Sequence, residues 1–245
     1  MLRSGTIVCL CVVTFLATGA LAQESFVKRF ADEHAPAVIA HRSAMIGGHP
    51  ENTLAWIEHA INRGIDVIHI NPQRTADDHY ILMHDHTLNR MTDVEQVFPD
   101  GPPDGPSRAQ RGGRDFVGDY SLKHIQELRI AGGEDGGRHP VPSLEEALDF
   151  IDGRILVILG LKSYEVESLA VVLNGQNKEN LMLFELYYPD TNQSKLRDLS
   201  AATGVGVAVA PFRSNDYLAE LEGIFEQLGP ALDHIGLIAA VLRET

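Results

Sequence analysis

Cysteine is nearly missing from this 245-residue chain: its only two, Cys9 and Cys11, stand close together near the start. The rest of the chain therefore has no disulfide partners, no thiolate metal ligands and no cysteine nucleophile. Glycine-rich nucleotide fingerprints are absent as well. No Gly-x-Gly-x-x-Gly and no Gly-x-x-x-x-Gly-Lys follows any strand-like run, so nucleotide binding gains no support. Positive charge is scarce, with 20 Lys and Arg against 34 Asp and Glu and a net charge of −14. Such a chain repels nucleic acid and anionic membranes. An anionic ligand would have to be held by local cationic or hydrogen-bonding groups, for which His41, Arg42, Arg74, His84 and Lys162 are candidates.

The N-terminus has the features of a secretory leader. Arg3 precedes the apolar run "TIVCLCVVTFL", and Ala20-Leu21-Ala22 supplies small residues at a cleavage position. The run is short for a membrane span. The pattern predicts a signal peptide over 1–22, cleavage before Gln23, and a mature domain over 23–245 with no stable membrane span. It predicts export to a periplasm or beyond. Both cysteines leave with the leader, and loss of Arg3 takes the net charge from −14 to −15. Neither cysteine has the small residues expected before a lipidated one.

Short apolar strands then alternate with amphipathic helices. Strands are expected at 36–42, 66–71, 80–85, 154–162, 180–188, 205–211 and 234–241. Helices are expected near 52–64, 121–129, 142–151, 164–174, 190–202 and 215–228. Ser143 and Glu146 form a capping-box pattern, and Gly64 suits a helix end. The stretch 94–118 is rich in Pro, Gly, Asp and Arg and reads as a surface excursion near a site, or as partly disordered. The alternation implies a parallel sheet with helices outside, and the strand count and spacing favour a (β/α)8 TIM-type barrel.

In such a barrel the chemistry lies where strands end. Those ends carry His41-Arg42, His69 and Asn71, His84-Asp85, Gly160 and Lys162, and Glu185. Two histidines at one rim suit general acid and base work. The stretch "VIHINPQ" (67–73) puts His69, Asn71 and Gln73 on one strand face, opposite Ile68 and Ile70. Polar groups in such a row need partners if buried.

"AHR" ending the first strand, "PENTL" opening the first helix, "HDHTLNRMTD" after the third strand and "VPSLEEAL" before the fourth together resemble the glycerophosphodiester phosphodiesterase family, over about Val38 to Lys162. The resemblance implies a barrel enzyme of glycerophosphodiester and lipid metabolism, with two histidines and one divalent metal, usually calcium or magnesium. It implies His41 and His84 as the catalytic pair, Arg42 as a phosphate contact and Lys162 as a basic residue beside the metal. Glu51 and Asn52 match a motif whose plainest role is helix entry and loop bracing.

The sequence also departs from that family. Where the family carries Glu-x-Asp and Glu-x-Lys, this chain has His69-Ile70-Asn71 and Gly160-Leu161-Lys162. All three expected carboxylates are gone, and hard cations need charged oxygen ligands. The cofactor is therefore open. His69, Asn71 and Glu185 could instead suit zinc, or Lys162, Arg42 or Arg74 could take over the metal's charge. The family's Trp-Thr-Val-Asn-like strand is also missing, since Trp56 in the first helix is the only tryptophan. A barrel shortened at the C-terminus is expected, with another subunit as one way to cover the gap. Three readings follow: a phosphoric diester hydrolase with weakened or metal-altered catalysis, a non-catalytic binder of a small phosphodiester or phosphate, and a homologue that has lost its ligand.

Overall fold

A computed structural model describes residues 11–13, 38–41, 47–130, 132–134, 136–178, 180–187, 194–211 and 235–241. The main sheet contains β1 (Cys11–Val13), β2 (Ile39–His41), β3 (Val67–Ile70), β8 (Leu156–Gly160), β9 (Leu181–Tyr187), β10 (Gly206–Pro211) and β11 (Ile235–Val241). Its hydrogen-bonded order is β2-β3-β8-β9-β10-β11-β1. Every pairing from β2 to β11 is parallel, and only β1 on β11 is antiparallel. Residues 11–13 thus pair at one sheet edge although they fall inside the expected leader. The expected helix at 215–228 lies outside the described residues.

The third expected strand, 80–85, is placed differently. Tyr80–Leu82 (β5) pairs antiparallel with Pro72–Arg74 (β4) as a hairpin outside the main sheet, and β3 pairs directly with β8. Pro72 ends β3 because it has no N–H for a ladder, and the "TADDH" turn then reverses the chain, with Asp78 at φ 63°. The excursion is also ordered in detail rather than loose. It contains α2 (Val94–Val97) and a 3₁₀ turn (Val117–Asp119). It is tied down by buried Asp115, which accepts from Arg108 Nε at 2.7 Å, Asn89 Nδ2 at 2.7 Å and Tyr120 Oη at 2.6 Å. Ile81, Met83, Leu88, Val94, Val117, Tyr120 and Ile125 form a second apolar core beneath it. A further short hairpin pairs β6 (Arg129–Ile130) with β7 (His139–Pro140).

The main core lies between sheet and helices. Helix α1 (Leu54–Asn62) contributes Trp56, Ile57 and Ala60. It is capped by Thr53, whose hydroxyl accepts the Trp56 N–H at 3.2 Å. Gly64 closes it at φ 69°, a left-handed position that suits glycine. After α3 (Leu122–Gln126), helix α4 (Leu144–Ile151) begins with the expected capping box between Ser143 and Glu146. Helices α5 (Val166–Asn174) and α6 (Ser194–Thr203) follow β8 and β9. Ile68 and Ile70 of β3 enter this core, so strand alternation turns His69 to the opposite face, and Leu159 with Leu183 likewise leaves Gly160 and Phe184 facing His69.

Candidate functional site

Two clusters form at the C-terminal ends of the central strands. The first centres on His84, which follows β5. Its Nδ1 lies 2.7 Å from Asp85 Oδ1, and its Nε2 lies 2.8 Å from Lys162 Nζ. Lys162 Nζ also donates to the His84 carbonyl at 2.7 Å, and Gln73 Nε2 reaches the same carbonyl at 3.3 Å. Lys162 has only protons to give, and an ionised Asp85 only accepts. The imidazole satisfies both in one neutral form, with the proton on Nδ1 and the lone pair on Nε2.

Asp85 is held ionised by its surroundings. The Arg90 guanidinium, hydrogen-bonded through Nε to Asp85 Oδ2, is the main reason the Asp85 carboxyl is pulled down to about 2. Arg90 reaches a second acid through Nη2, which lies 2.6 Å from Glu51 Oε1. These two carboxylates raise the Arg90 pKa, Asp85 being the larger cause.

The second cluster occupies the corner where the family resemblance places a metal. The His41 and His69 rings are stacked, with centroids 4.6 Å apart and planes at 22°. The edge-to-face contact of His69 with Phe184 is 5.3 Å. Asn71 is buried, and its Nδ2 donates to the Gly160 carbonyl at 3.2 Å and approaches His69 Nε2 at 3.5 Å. The Asn71 N–H is taken by Asn52 Oδ1 at 3.1 Å. Asn52 is therefore a brace rather than the helix cap, and its φ of 60° aims the side chain across to β3. A Cβ at Gly160 would lie 2.0 Å from His69 Nε2 and 2.5 Å from Asn71 Nδ2. His69 and Asn71 thus fill the space that a side chain at 160 would need.

This donor set does not fit calcium or magnesium. Positions 69, 71 and 160 with the adjacent His41 offer two imidazoles, one amide and no carboxylate, whereas hard cations take charged oxygens. Among the described residues no group of three or more His, Cys, Asp or Glu side chains converges to hold a metal. Glu185 is not beside His69 and Asn71. Phe184 takes the His69 face, so alternation turns Glu185 to the helix side, where it accepts the Tyr164 hydroxyl. Burial there raises the Glu185 pKa despite that hydrogen bond.

The clusters are contiguous. His69 meets Asn71, whose carbonyl accepts the Met83 N–H at 2.9 Å, one residue before His84. The candidates His41, His69, Asn71, Gly160, His84 and Lys162 therefore share one end of the sheet. Arg74 does not join them. It pairs with Asp78 across the hairpin turn and lies 3.8 Å from Glu165. Arg42 lies outside the described residues. Sequence reasoning missed Arg90, which sits six residues beyond His84 in an irregular turn; its place in "HDHTLNR" was the available signal.

A model of the Glycerophosphoryl diester phosphodiesterase family matches residues 41–204. A glycerophosphodiester phosphodiesterase of Caldanaerobacter subterraneus is 30% identical over 171 residues, covering 66% of this chain and 60% of that one. One of Bacillus altitudinis is 29% identical over 125 residues, covering 51% of this chain and 44% of that one. The chain thus spans at most about 60% of the length of these curated relatives. Among solved structures, an Oleispira antarctica phosphodiesterase in complex with the product sn-glycerol-3-phosphate superposes with a TM-score of 0.59 at 22% identity, covering 80% of this chain and 73% of that one.

Proposed function

The chain belongs to the glycerophosphoryl diester phosphodiesterase family, with the TIM-type (β/α) barrel fold of that family, and from that premise we propose that it cleaves a glycerophosphodiester by acid–base chemistry without a metal at positions 69, 71 and 160. The observation that carries this reading is His84 held between Asp85 and Lys162, with its Nε2 lone pair directed at a cation. A phosphate entering the site draws the Lys162 ammonium onto its oxygens and frees Nε2. His84 then takes the proton of the attacking hydroxyl as its oxygen bonds to phosphorus. The phosphorus–oxygen bond to the leaving alcohol breaks, and His41 in its protonated form gives that oxygen a proton. Lys162, held in place by its two contacts to His84, stabilises the charge that builds on the phosphoryl oxygens. The ligand class is supported by the neighbour solved with sn-glycerol-3-phosphate.

The test is hydrolysis of glycerophosphodiesters by the purified mature chain, with chelator and then with calcium, magnesium or zinc. The expected result is slow turnover that chelator leaves unchanged and that His84→Ala removes. The second reading, a binder of small phosphates without turnover, is favoured by the loss of all three carboxylate positions. It becomes the better one if sn-glycerol-3-phosphate binds and no diester is cleaved under any condition. Export belongs to the same proposal, supported by the leader pattern over 1–22, and N-terminal sequencing of the secreted protein should begin at Gln23. The acidic surface argues against nucleic acid as a partner. A second subunit would appear as a dimer mass in light scattering.

A further inference from the structure

We infer that Arg90 is a positioning residue that sets the tautomer of His84 by clamping Asp85 against Glu51, an inference that rests on the acid–base reading above. The contacts run in sequence from Glu51 to His84. Glu51 Oε1 accepts from Arg90 Nη2 at 2.6 Å, Arg90 Nε donates to Asp85 Oδ2, and Asp85 Oδ1 accepts from His84 Nδ1 at 2.7 Å. Each Asp85 oxygen has a different partner, so the carboxylate is held at both ends. Glu51 is the fixed end of the clamp: its side chain is only 7% exposed, while that of Arg90 is 47% exposed. A nearly buried carboxylate needs a paired cation, and Arg90 meets that need while its other edge points at Asp85. The planar fork of arginine serves both acids at once, which a lysine ammonium does less directionally.

The consequence for chemistry lies at Nε2. While Asp85 stays ionised and in place, Nδ1 keeps the proton and Nε2 keeps the lone pair that a base requires. Without Arg90, Asp85 loses the partner of its second oxygen, and water can compete for the first. The proton can then shift to Nε2, leaving the ring unable to accept one there. The clamp also joins two sequence motifs 39 residues apart, "PENTL" at Glu51 and "HDHTLNR" at Arg90. Glu51 thus acts on His84 through two intermediates, beyond bracing the loop before α1.

Histidine-labelled 15N long-range correlation spectra of the full chain at neutral pH test this without reference to turnover. The His84 signals are assigned by their loss in His84→Gln. The wild type should show a protonated Nδ1 and an unprotonated Nε2. Arg90→Gln should move the tautomer ratio by about tenfold towards Nε2–H, the scale of losing one charge-assisted hydrogen bond. Arg90→Lys should show only part of that shift, and Glu51→Gln should give a smaller change in the same direction. A purely structural arginine would lower stability and leave the tautomer alone. The inference is overturned if the wild type holds Nε2–H, or if a folded Arg90→Gln keeps the wild-type pattern. If Arg90→Gln does not fold, the same comparison on Arg90→Lys and Glu51→Gln decides. An Arg90-dependent tautomer in a chain that cleaves no diester would leave this inference standing and remove the acid–base function.

Discussion

The His84 corner and the His69 corner sit at the same end of one sheet and differ in how they treat charge. Around His84, Lys162 donates to the neutral imidazole, Asp85 pairs with Arg90, and Arg90 pairs with Glu51. Around His69, positions 69, 71 and 160 carry no carboxylate, and ring stacking and an amide hydrogen bond fill the space. Under the proposed function, one corner moves protons and holds an anion. The other is organised as packing. Restoring carboxylates there would therefore take more than one substitution, because His69 and Asn71 occupy the space that a side chain at Gly160 would need.

The largest effect should come from exchanging the two histidines' fates. His84→Gln should lower diester hydrolysis by about 10² to 10⁴-fold, the usual contribution of a positioned acid or base. His69→Phe, which keeps a ring against His41 and Phe184, should change the rate by no more than about tenfold. Steady-state rates in chelated buffer make the measurement. Equal losses in both variants would abolish the distinction between the corners.

Packing gives the next effect. Gly160→Glu alone should destabilise the fold by about 3 kcal/mol, because His69 is trapped between His41 and Phe184 and cannot easily yield. His69→Glu, Asn71→Asp and Gly160→Glu together should remove that conflict and create a calcium site with three carboxylates. Thermal melts check both parts. The single variant should melt lower than wild type, and the triple variant should gain a calcium-dependent rise in melting temperature that the wild type lacks.

The sequence made the barrel-type alternation legible because the strands are short and apolar, and those at 36–42, 154–162 and 180–188 are each followed by a helical period. It also made the capping box at Ser143 legible, since the motif is local. The role of 80–85 was not legible. An apolar run of that length reads the same in a sheet as in a hairpin, and only the pairing of β4 with β5 decides. Within the site, His41, His84 and Lys162 stood out at strand ends. The Arg90 clamp did not, because its partners Glu51 and Asp85 lie on different segments joined only by the fold. Glu185 looked like a rim residue until Phe184 was found to hold the face towards His69.

Acid should separate the corners by a smaller amount. Asp85 has a pKa near 2 in the folded protein against an ordinary 3.8. A lowered carboxyl pKa adds stability that is complete above the ordinary value and is lost as pH falls from about 4 towards 2. The linked contribution is about 2 kcal/mol. Asp85→Asn should therefore destabilise at pH 6 and much less at pH 2.5, while His69→Phe should show no such window. Urea unfolding at a series of pH values provides the test, and a wild-type slope that Asp85→Asn leaves intact would assign the effect elsewhere.

Glu185 should give the smallest effect, and with the opposite sign. Burial raises its pKa, so its ionised form is disfavoured in the folded state. Its contribution to stability is fullest at low pH and declines as pH rises through its ordinary value of 4.5 towards the folded one. Glu185→Gln keeps an oxygen to accept the Tyr164 hydroxyl and removes the buried charge. Lys195 retains Glu165 at 3.2 Å, so its own charge is still answered. The variant should gain up to about 1 kcal/mol relative to wild type at pH 8 and lose that advantage at pH 4. Hydrolysis should be unchanged, because the side chain faces the helices and not His69. A variant that melts normally and yet loses activity would move Glu185 into the site, and the line between a chemical face and a packing face of β9 would have to be redrawn.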